Sequence, residues 1–224
     1  MATPVFSVIL PLYKQVAHAQ HLYDTYTTHL SAMQESWELL FIVNGVDDGA
    51  VEKLNSLNKF PNVRVLWLEK GGWGRAVKYG LEQATGQYLC YTNSARTEID
   101  DLVLILNYAR VNTDNVVKAT RIIREKMIRK IGSTLYNMEC RIMYKVPVWD
   151  VNGTPKVLPR KVYEDMHIES DDDLIDAEII IKCARKKVRI IEIPIISTTR
   201  ISGSSTTNFK SAYRMYKGLL RFKQ

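Results

Sequence analysis

Cysteine is scarce in this chain. Cys90, Cys140 and Cys183 lie far apart, are odd in number and sit in apolar stretches. That excludes a disulfide framework and a cysteine metal site, and it reads as three reduced core thiols. Histidine is also sparse, and His18, His21, His29 and His167 show no ligand spacing. No apolar run reaches the roughly 18–20 residues that cross a bilayer. The opening MATPVFSVILPLYK has no basic leader region and runs straight into a strand pattern. The location expected is therefore cytoplasmic, at most peripheral at the inner membrane face. Negative charge is the remaining shortage: 24 Asp and Glu stand against 31 Lys and Arg, a net charge of +7. Such a balance favours anionic partners, among them phosphates, nucleotides and acidic lipids. Nucleic acid is set aside, because no recognition helix or aromatic platform accompanies the charge.

What is present is ordinary globular material. The 224 residues are 46% hydrophobic and 25% charged, which suits one domain with a sizeable core. Short β-branched runs at 5–10, 39–43, 63–68 and 87–92 read as strands, and helical patterns at 17–33, 46–57, 75–84 and 102–108 follow them in turn. The alternation predicts an α/β fold, a Rossmann-like, mostly parallel sheet with helices on both faces. Ligands of such sheets bind beyond the carboxyl ends of the strands. That singles out the loops at 11–15, 44–49, 70–75 and 93–98.

The second half is organised differently. A strand is expected at 116–119, a long basic helix over 121–144, a turn-rich loop at 150–156, a helix at 176–184 and a strand at 189–195. A polar segment at 197–208 precedes a tail, 209–223, whose basic and apolar residues interleave at helical spacing. Such a tail either docks on the core or lies on an anionic membrane.

Two loops carry local signals. KGGWGR at 70–75 joins a strand to a helix; its glycines let a ligand approach the backbone, and the helix start offers free N–H groups to an anion. It is neither a Walker loop nor a full dinucleotide fingerprint; alone it is a weak signal, and a tight turn that packs helix on sheet is the alternative. NGVDDG at 44–49 offers Asp47 and Asp48, either to ribose hydroxyls or as caps of the following helix.

Read in order, SVILPLY, LLFIVNGVDDGA and GGWGRAVKYGLEQATGQYL resemble the amino-terminal half of family 2 glycosyltransferases with the GT-A fold. Pro11 and Tyr13 match the first family motif; Gly72, Gly74, Ala76 and Gly80 match the third, followed by Ala84 and Gly86. The second half is similar to the dolichyl- or polyprenyl-phosphate mannose synthase branch, on Arg121, Arg129, Ser133, Asn137, the 150–156 loop, DAEIIIKCARKKVRIIEIPI, and Arg200, Gly203 and Ser204. The resemblance implies one glycosyltransferase domain over 1–224, with a nucleotide-sugar half at 1–110, an acceptor half at 111–208 and a C-terminal amphipathic helix at 209–224.

One departure matters. Family members usually carry Asp-x-Asp after the fourth strand, where it holds a divalent metal on the nucleotide diphosphate. Here that position reads Asn93-Ser94-Ala95, followed by Arg96. Three readings stay open: arginines replace Mg2+ or Mn2+; a weak metal site survives on Glu98, Asp100 or another carboxylate; or catalysis is lost.

The function so implied is inverting transfer of a hexose from a nucleotide-diphosphate sugar to a polyprenyl-phosphate-like, anionic lipid-linked acceptor at a membrane surface, with metal independence as one of those three readings. Pro11, Tyr13, Asn44, Gly72 and Gly74 are assigned to the nucleotide; Asn93 and Arg96 to the diphosphate; Arg121, Arg129, Ser133, Arg200 and Ser204 to the acceptor phosphate. Arg96, Arg129 and Asp150 are the candidate catalytic residues. The alternatives are transfer to a sugar hydroxyl in polysaccharide or glycolipid synthesis, with Asp150, Asp176 or Glu178 as base, and a non-catalytic nucleotide-binding member of the fold.

Overall fold

A computed structural model describes residues 3–123, 127–196 and 216–223, with the backbone alone at 123 and 127–131. In chain order the elements are β1 (Phe6–Leu12), α1 (Ala19–Ser31), β2 (Trp37–Asn44), α2 (Ala50–Leu57), β3 (Val63–Leu68), α3 (Trp73–Gln83), β4 (Tyr88–Tyr91), α4 (Ile99–Val111), β5 (Val116–Ile123), α5 (Met127–Tyr144), β6 (Lys156–Pro159), α6 (Arg160–Met166), α7 (Ile175–Arg185) and β7 (Ile190–Ile196). Single 3-10 turns cover Val16–His18 and Leu219–Phe222.

The strands form one seven-stranded sheet in the order β3-β2-β1-β4-β6-β5-β7. Only β6 runs against its neighbours, pairing antiparallel with β4 and β5. The strands β1, β2, β3, β4, β5 and β7 therefore end at one edge, and β6 begins there.

Alternation along the central strands builds two cores. Phe6, Val8, Leu10 and Leu12 of β1 point to one face, where they meet Leu22, Tyr26 and Leu30 of α1 and Leu102, Ile105 and Leu106 of α4. Ile9 points to the other, with Leu40 and Ile42 of β2, Ala76, Val77 and Leu81 of α3, and Ile175, Ile179 and Cys183 of α7. A third cluster joins the far side of α7, through Ala177, Ile180 and Ile181, to Tyr136 and Cys140 of α5 and to Leu219. Helix α7 is thus sandwiched between the sheet and an outer layer.

Several boundaries differ from those the pattern predicts. Strand β1 continues through Pro11 to Leu12, because β4 has already ended on that side and the missing N–H breaks no ladder bond; the Pro11 carbonyl there faces Ser94 Oγ at 3.2 Å. The helix expected over 121–144 begins only at Met127. Residues 120–123 remain in β5 because their backbone pairs with β7, with Arg121 opposite Ile195. Strand β6 and helix α6 went unrecognised. At four residues β6 is too short to show a period, and it opens on a charged residue. Helix α2 starts at Ala50, since Gly49 takes a left-handed φ of 90° ahead of it. At the carboxyl-terminal end, Leu219 is buried and Tyr144 Oη donates to its carbonyl, so the described part of the tail docks on the core.

Candidate active site

The donor side is organised by Asn44. It is buried at the end of β2; its Nδ2 donates to the Leu12 carbonyl at 2.8 Å and its Oδ1 accepts from the Gly72 amide at 3.0 Å. One side chain thus ties the ends of β1 and β2 to the loop before α3. Gly45 has φ 79°, and a side chain there would meet the Tyr13 ring at 3.0 Å, so the ring lies against this backbone with an exposed outer face. Lys14 Nζ sits 5.5 Å from the same ring centroid. This edge of the sheet therefore offers a flat aromatic surface beside a cation.

The remaining residues of these loops divide between ligand and packing. Gly72 has open space on its Cβ side, with Arg75 Nη1 nearest at 4.0 Å. Gly74 does not: a Cβ there would fall 1.9 Å from the Asp172 carbonyl oxygen. Its missing side chain lets α3 pack against the 167–174 loop, the packing role that the sequence left open for this turn. Asp47 Oδ1 accepts from the amides of Gly49 and Val51, the capping alternative. Asp48 Oδ2 accepts from Val16 N at 3.1 Å, joining this loop to the one after β1.

After β4 the chain turns tightly. Asn93 Oδ1 accepts from Ala95 N at 3.1 Å, and its carbonyl accepts from Arg96 N and Thr97 N. Ser94 points inward, 3.2 Å from the Pro11 carbonyl and 3.1 Å from Gln15 Oε1, and Ala95 is buried. No side chain of Asn93-Ser94-Ala95 is a carboxylate, and the middle one is committed to the core. Glu98, Asp100 and Asp101 cluster at the start of α4, where burial, then the charges of Glu98 and Asp100, raise the pKa of Asp101. Among the described residues, no group of three or more His, Cys, Asp or Glu has the arrangement to hold a metal ion. The two carboxylates of the family's Asp-x-Asp have no counterpart in the 93–95 turn, and the nearest acids are those at the start of α4.

On the acceptor side the structure joins residues that the sequence assigned to separate tasks. Arg121 was assigned to an acceptor phosphate and Asp150 to catalysis. Instead Arg121 Nε and Nη2 donate to the two Asp150 oxygens at 2.7 and 2.9 Å, and Nη2 also reaches the Asn152 carbonyl at 3.1 Å. Asp150 is buried and its amide donates to Glu192 Oε1 at 3.2 Å. Ser133 lies in α5, and Asn137 of that helix accepts from Val151 N at 3.1 Å, bringing α5 onto the 150–156 loop. The backbone of Arg129 is in the first turns of α5. Arg200 and Ser204 lie outside the described residues.

Two lysines are buried in a way that the sequence reading did not anticipate. Lys118 of β5 and Lys156 of β6 are fully buried and opposite one another in the ladder. Lys118 donates to Glu192 Oε1 at 3.1 Å and to the Ala119 carbonyl at 2.8 Å. Burial pushes its pKa down to about 8, against the opposing pull of Asp150 and Glu192. Lys156 pairs with Asp176, which also accepts from Tyr91 Oη at 2.7 Å and from Trp73 Nε1 at 3.1 Å. The signal for both was a lone lysine inside an apolar strand run, VVKAT and PKVLP. Glu178 takes the amides of Glu169 and Ser170 and an ion pair with Lys182. Burial alone would raise its pKa; those donors outweigh it and hold the carboxyl below its ordinary value.

A mostly parallel sheet with one reversed strand, helices on both faces and its functional loops at the carboxyl edge is the architecture of a GT-A glycosyltransferase. Residues 7–166 match the glycosyl transferase family 2 model, and the chain belongs to that family of sugar-transferring enzymes. Glucosyl-3-phosphoglycerate synthase from Mycobacterium tuberculosis, solved with Mn2+, UDP and glucosyl-3-phosphoglycerate, superposes with a TM-score of 0.72 at 13% identity, over 97% of this chain and 79% of that one. The mannosyltransferase PcManGT from Pyrobaculum calidifontis, with GDP-Man and Mn2+, gives 0.65 at 16% identity, over 92% of this chain and 59% of its own. S. aureus TarS 1-349 gives 0.55 at 16% identity, over 84% and 58%. At these identities the likeness is one of fold. No helix among the described residues is long and apolar enough to cross a membrane.

Proposed function

We propose that this enzyme moves a hexose, with inversion, from a nucleotide-diphosphate sugar to a polyprenyl-phosphate-like acceptor, as in the polyprenyl-phosphate mannose synthase branch, and does so without a divalent ion. The observation that carries the reading is the state of the carboxylates. Asp150 is held by Arg121, Asp176 by Lys156, Tyr91 and Trp73, and Glu178 by Lys182 and two amides. Each is already bound to donors inside the fold, which suits structural anchors better than a base that must collect a proton from a sugar hydroxyl. A phosphomonoester needs no base: its second pKa is ~6, so its oxygen is ionised at neutral pH.

The chemistry is a single in-line displacement. An acceptor phosphate oxygen attacks the anomeric carbon, the bond from that carbon to the diphosphate oxygen breaks, and the electron pair leaves on the nucleoside diphosphate. No proton moves. The leaving group gains negative charge, and a preorganised guanidinium lowers that barrier. Arg96, in the loop where the family's metal carboxylates stand, takes this role with Asn93. Tyr13, Pro11, Gly72 and the Asn44-braced loops hold the nucleotide. Arg129, Ser133, Arg200 and Ser204 are assigned to the acceptor phosphate, while Arg121 and Asp150 together position the 150–156 loop. The UDP and GDP-Man held by the two structural neighbours support a nucleotide-sugar donor.

The test is a donor screen by thermal shift, followed by transfer assays with a short-chain polyprenyl phosphate and with an alkyl glycoside, each with and without EDTA. Product on the phosphate, unchanged by EDTA, is expected. Transfer confined to the glycoside, or abolished by EDTA and restored by manganese, refutes the acceptor or the metal-free claim respectively.

A further inference from the structure

Helix α5 has two apolar sides. Tyr136 and Cys140 pack on α7, as a surface helix should. Leu135, Met138 and Ile142 do not join them. They are 52%, 51% and 71% exposed, and their spacing of three and four residues sets them along the side of the helix away from α7. A helix with one wet side ordinarily places polar residues there, and a row of large apolar side chains marks a surface built to be covered.

Cations flank one side of this row, and a single acid, Glu139, stands on the other. Arg141 and Lys145 are exposed beside it. Glu139 is the one acid in the sequence of α5, and it is only half-exposed. Trp149 lies beside the helix, against Arg141. Its indole is 70% exposed, the Arg141 guanidinium lies 4.2 Å from its ring centroid, and its amide is pinned by Glu192 Oε2 at 2.8 Å. An exposed indole on a fixed backbone, stacked with arginine, is the pairing that sits at the level of lipid headgroups. Trp149 also directly precedes Asp150, so this surface adjoins the acceptor side of the site.

We infer that the outer face of α5, with Leu135, Met138, Ile142 and Trp149 as the inserted groups and Arg141 and Lys145 as the headgroup contacts, docks the enzyme on an anionic lipid surface. Apolar side chains flanked by cations fit the boundary between acyl chains and acidic headgroups. A second copy of the chain is the weaker occupant, because a two-fold contact through this row sets the cations of one copy against those of the other. The inference deepens the function proposed above by bringing the site to where a lipid-linked acceptor lies, but its test needs no acceptor.

The test is flotation of the full chain with phosphatidylcholine vesicles, with and without phosphatidylglycerol. Binding to the acidic vesicles, weakened by salt, is expected, with a blue shift of tryptophan emission that Trp149→Phe diminishes. The Leu135→Asp/Ile142→Asp variant should bind about tenfold more weakly. Its circular dichroism and its turnover on a short-chain, water-soluble acceptor should stay at wild-type levels. Should that variant fail to fold, Trp149→Ala replaces it, with the same loss expected. Equal binding by variant and wild type, no binding to either vesicle, or a dimer in solution that the substitutions dissolve would each overturn the inference. Failure of transfer to polyprenyl phosphate, with vesicle binding intact, would overturn the function and leave this surface standing.

Discussion

Arg121, at the end of β5, and Asp150, after α5, hold each other through two nearly parallel hydrogen bonds of 2.7 and 2.9 Å. The planar fork of arginine matches the two carboxylate oxygens, and lysine has no equivalent geometry. Asp150 is buried, so losing its partner strands a charge. Arg121→Met and Asp150→Asn are each expected to cost about 3 kcal/mol in urea unfolding, and the double variant to recover most of it. Costs below about 1 kcal/mol for both single changes would show that the pair does not brace the loop.

Arg96 sits half-buried in the turn after β4, its amide on the Asn93 carbonyl. Arg96→Ala is expected to lower kcat by roughly a hundred- to a thousandfold, the cost of removing one preorganised donor to developing charge, with donor binding and thermal stability little changed. Wild-type turnover in that variant would take Arg96 out of the mechanism.

Two glycines should respond oppositely to alanine. At Gly74 the new methyl falls 1.9 Å from the Asp172 carbonyl, so a backbone must move, and a loss of roughly 1–3 kcal/mol or more is expected. Gly132, within α5, has nothing within 4 Å of that position, and Gly132→Ala should stabilise by roughly 0.5–1 kcal/mol. Thermal melts of the pair decide the matter; a neutral Gly74→Ala would mean the 167–174 loop yields freely.

The acid limb of stability should be steep. For Glu38, Glu178 and Glu192 burial favours the protonated form, yet their hydrogen bonds and cationic neighbours outweigh it and hold each below the ordinary 4.5. A carboxyl lowered in the folded state contributes stability that is complete above that ordinary value and is lost as pH falls through the lowered one. Unfolding free energy should therefore be flat down to about pH 5 and decline below it. Glu192→Gln should remove part of the slope; an unaltered profile would mean its ties to Lys118, Thr120 and the Trp149 amide contribute nothing.

The sheet was legible because strands such as LLFIV are uniformly apolar and alternate with amphipathic helices, a pattern with few solutions. The carboxyl edge followed from that topology, and Asn44, Asn93 and Arg96 do lie in its loops. The pairing of Arg121 with Asp150 was not legible, because 29 positions separate them and only tertiary packing brings them together. Lys118 and Lys156 were missed for a related reason. A lysine in a strand reads as a solvated interruption until its buried acidic partner is known, and Glu192 and Asp176 are distant in sequence. The packing of Gly74 against Asp172 was not legible either, because a glycine that admits a ligand and one that admits a neighbouring backbone look alike on paper.

The first two turns of helix α7 have no side facing water: seven consecutive residues, Ile175–Ile181, are buried between the sheet and the outer layer. Here a saturation library should reveal an unbroken intolerant block, with Asp176 and Glu178 refusing replacement as firmly as the isoleucines beside them. Sequence variation among homologues would then mistake a buried strut for a reaction centre unless it is read against the three-dimensional arrangement.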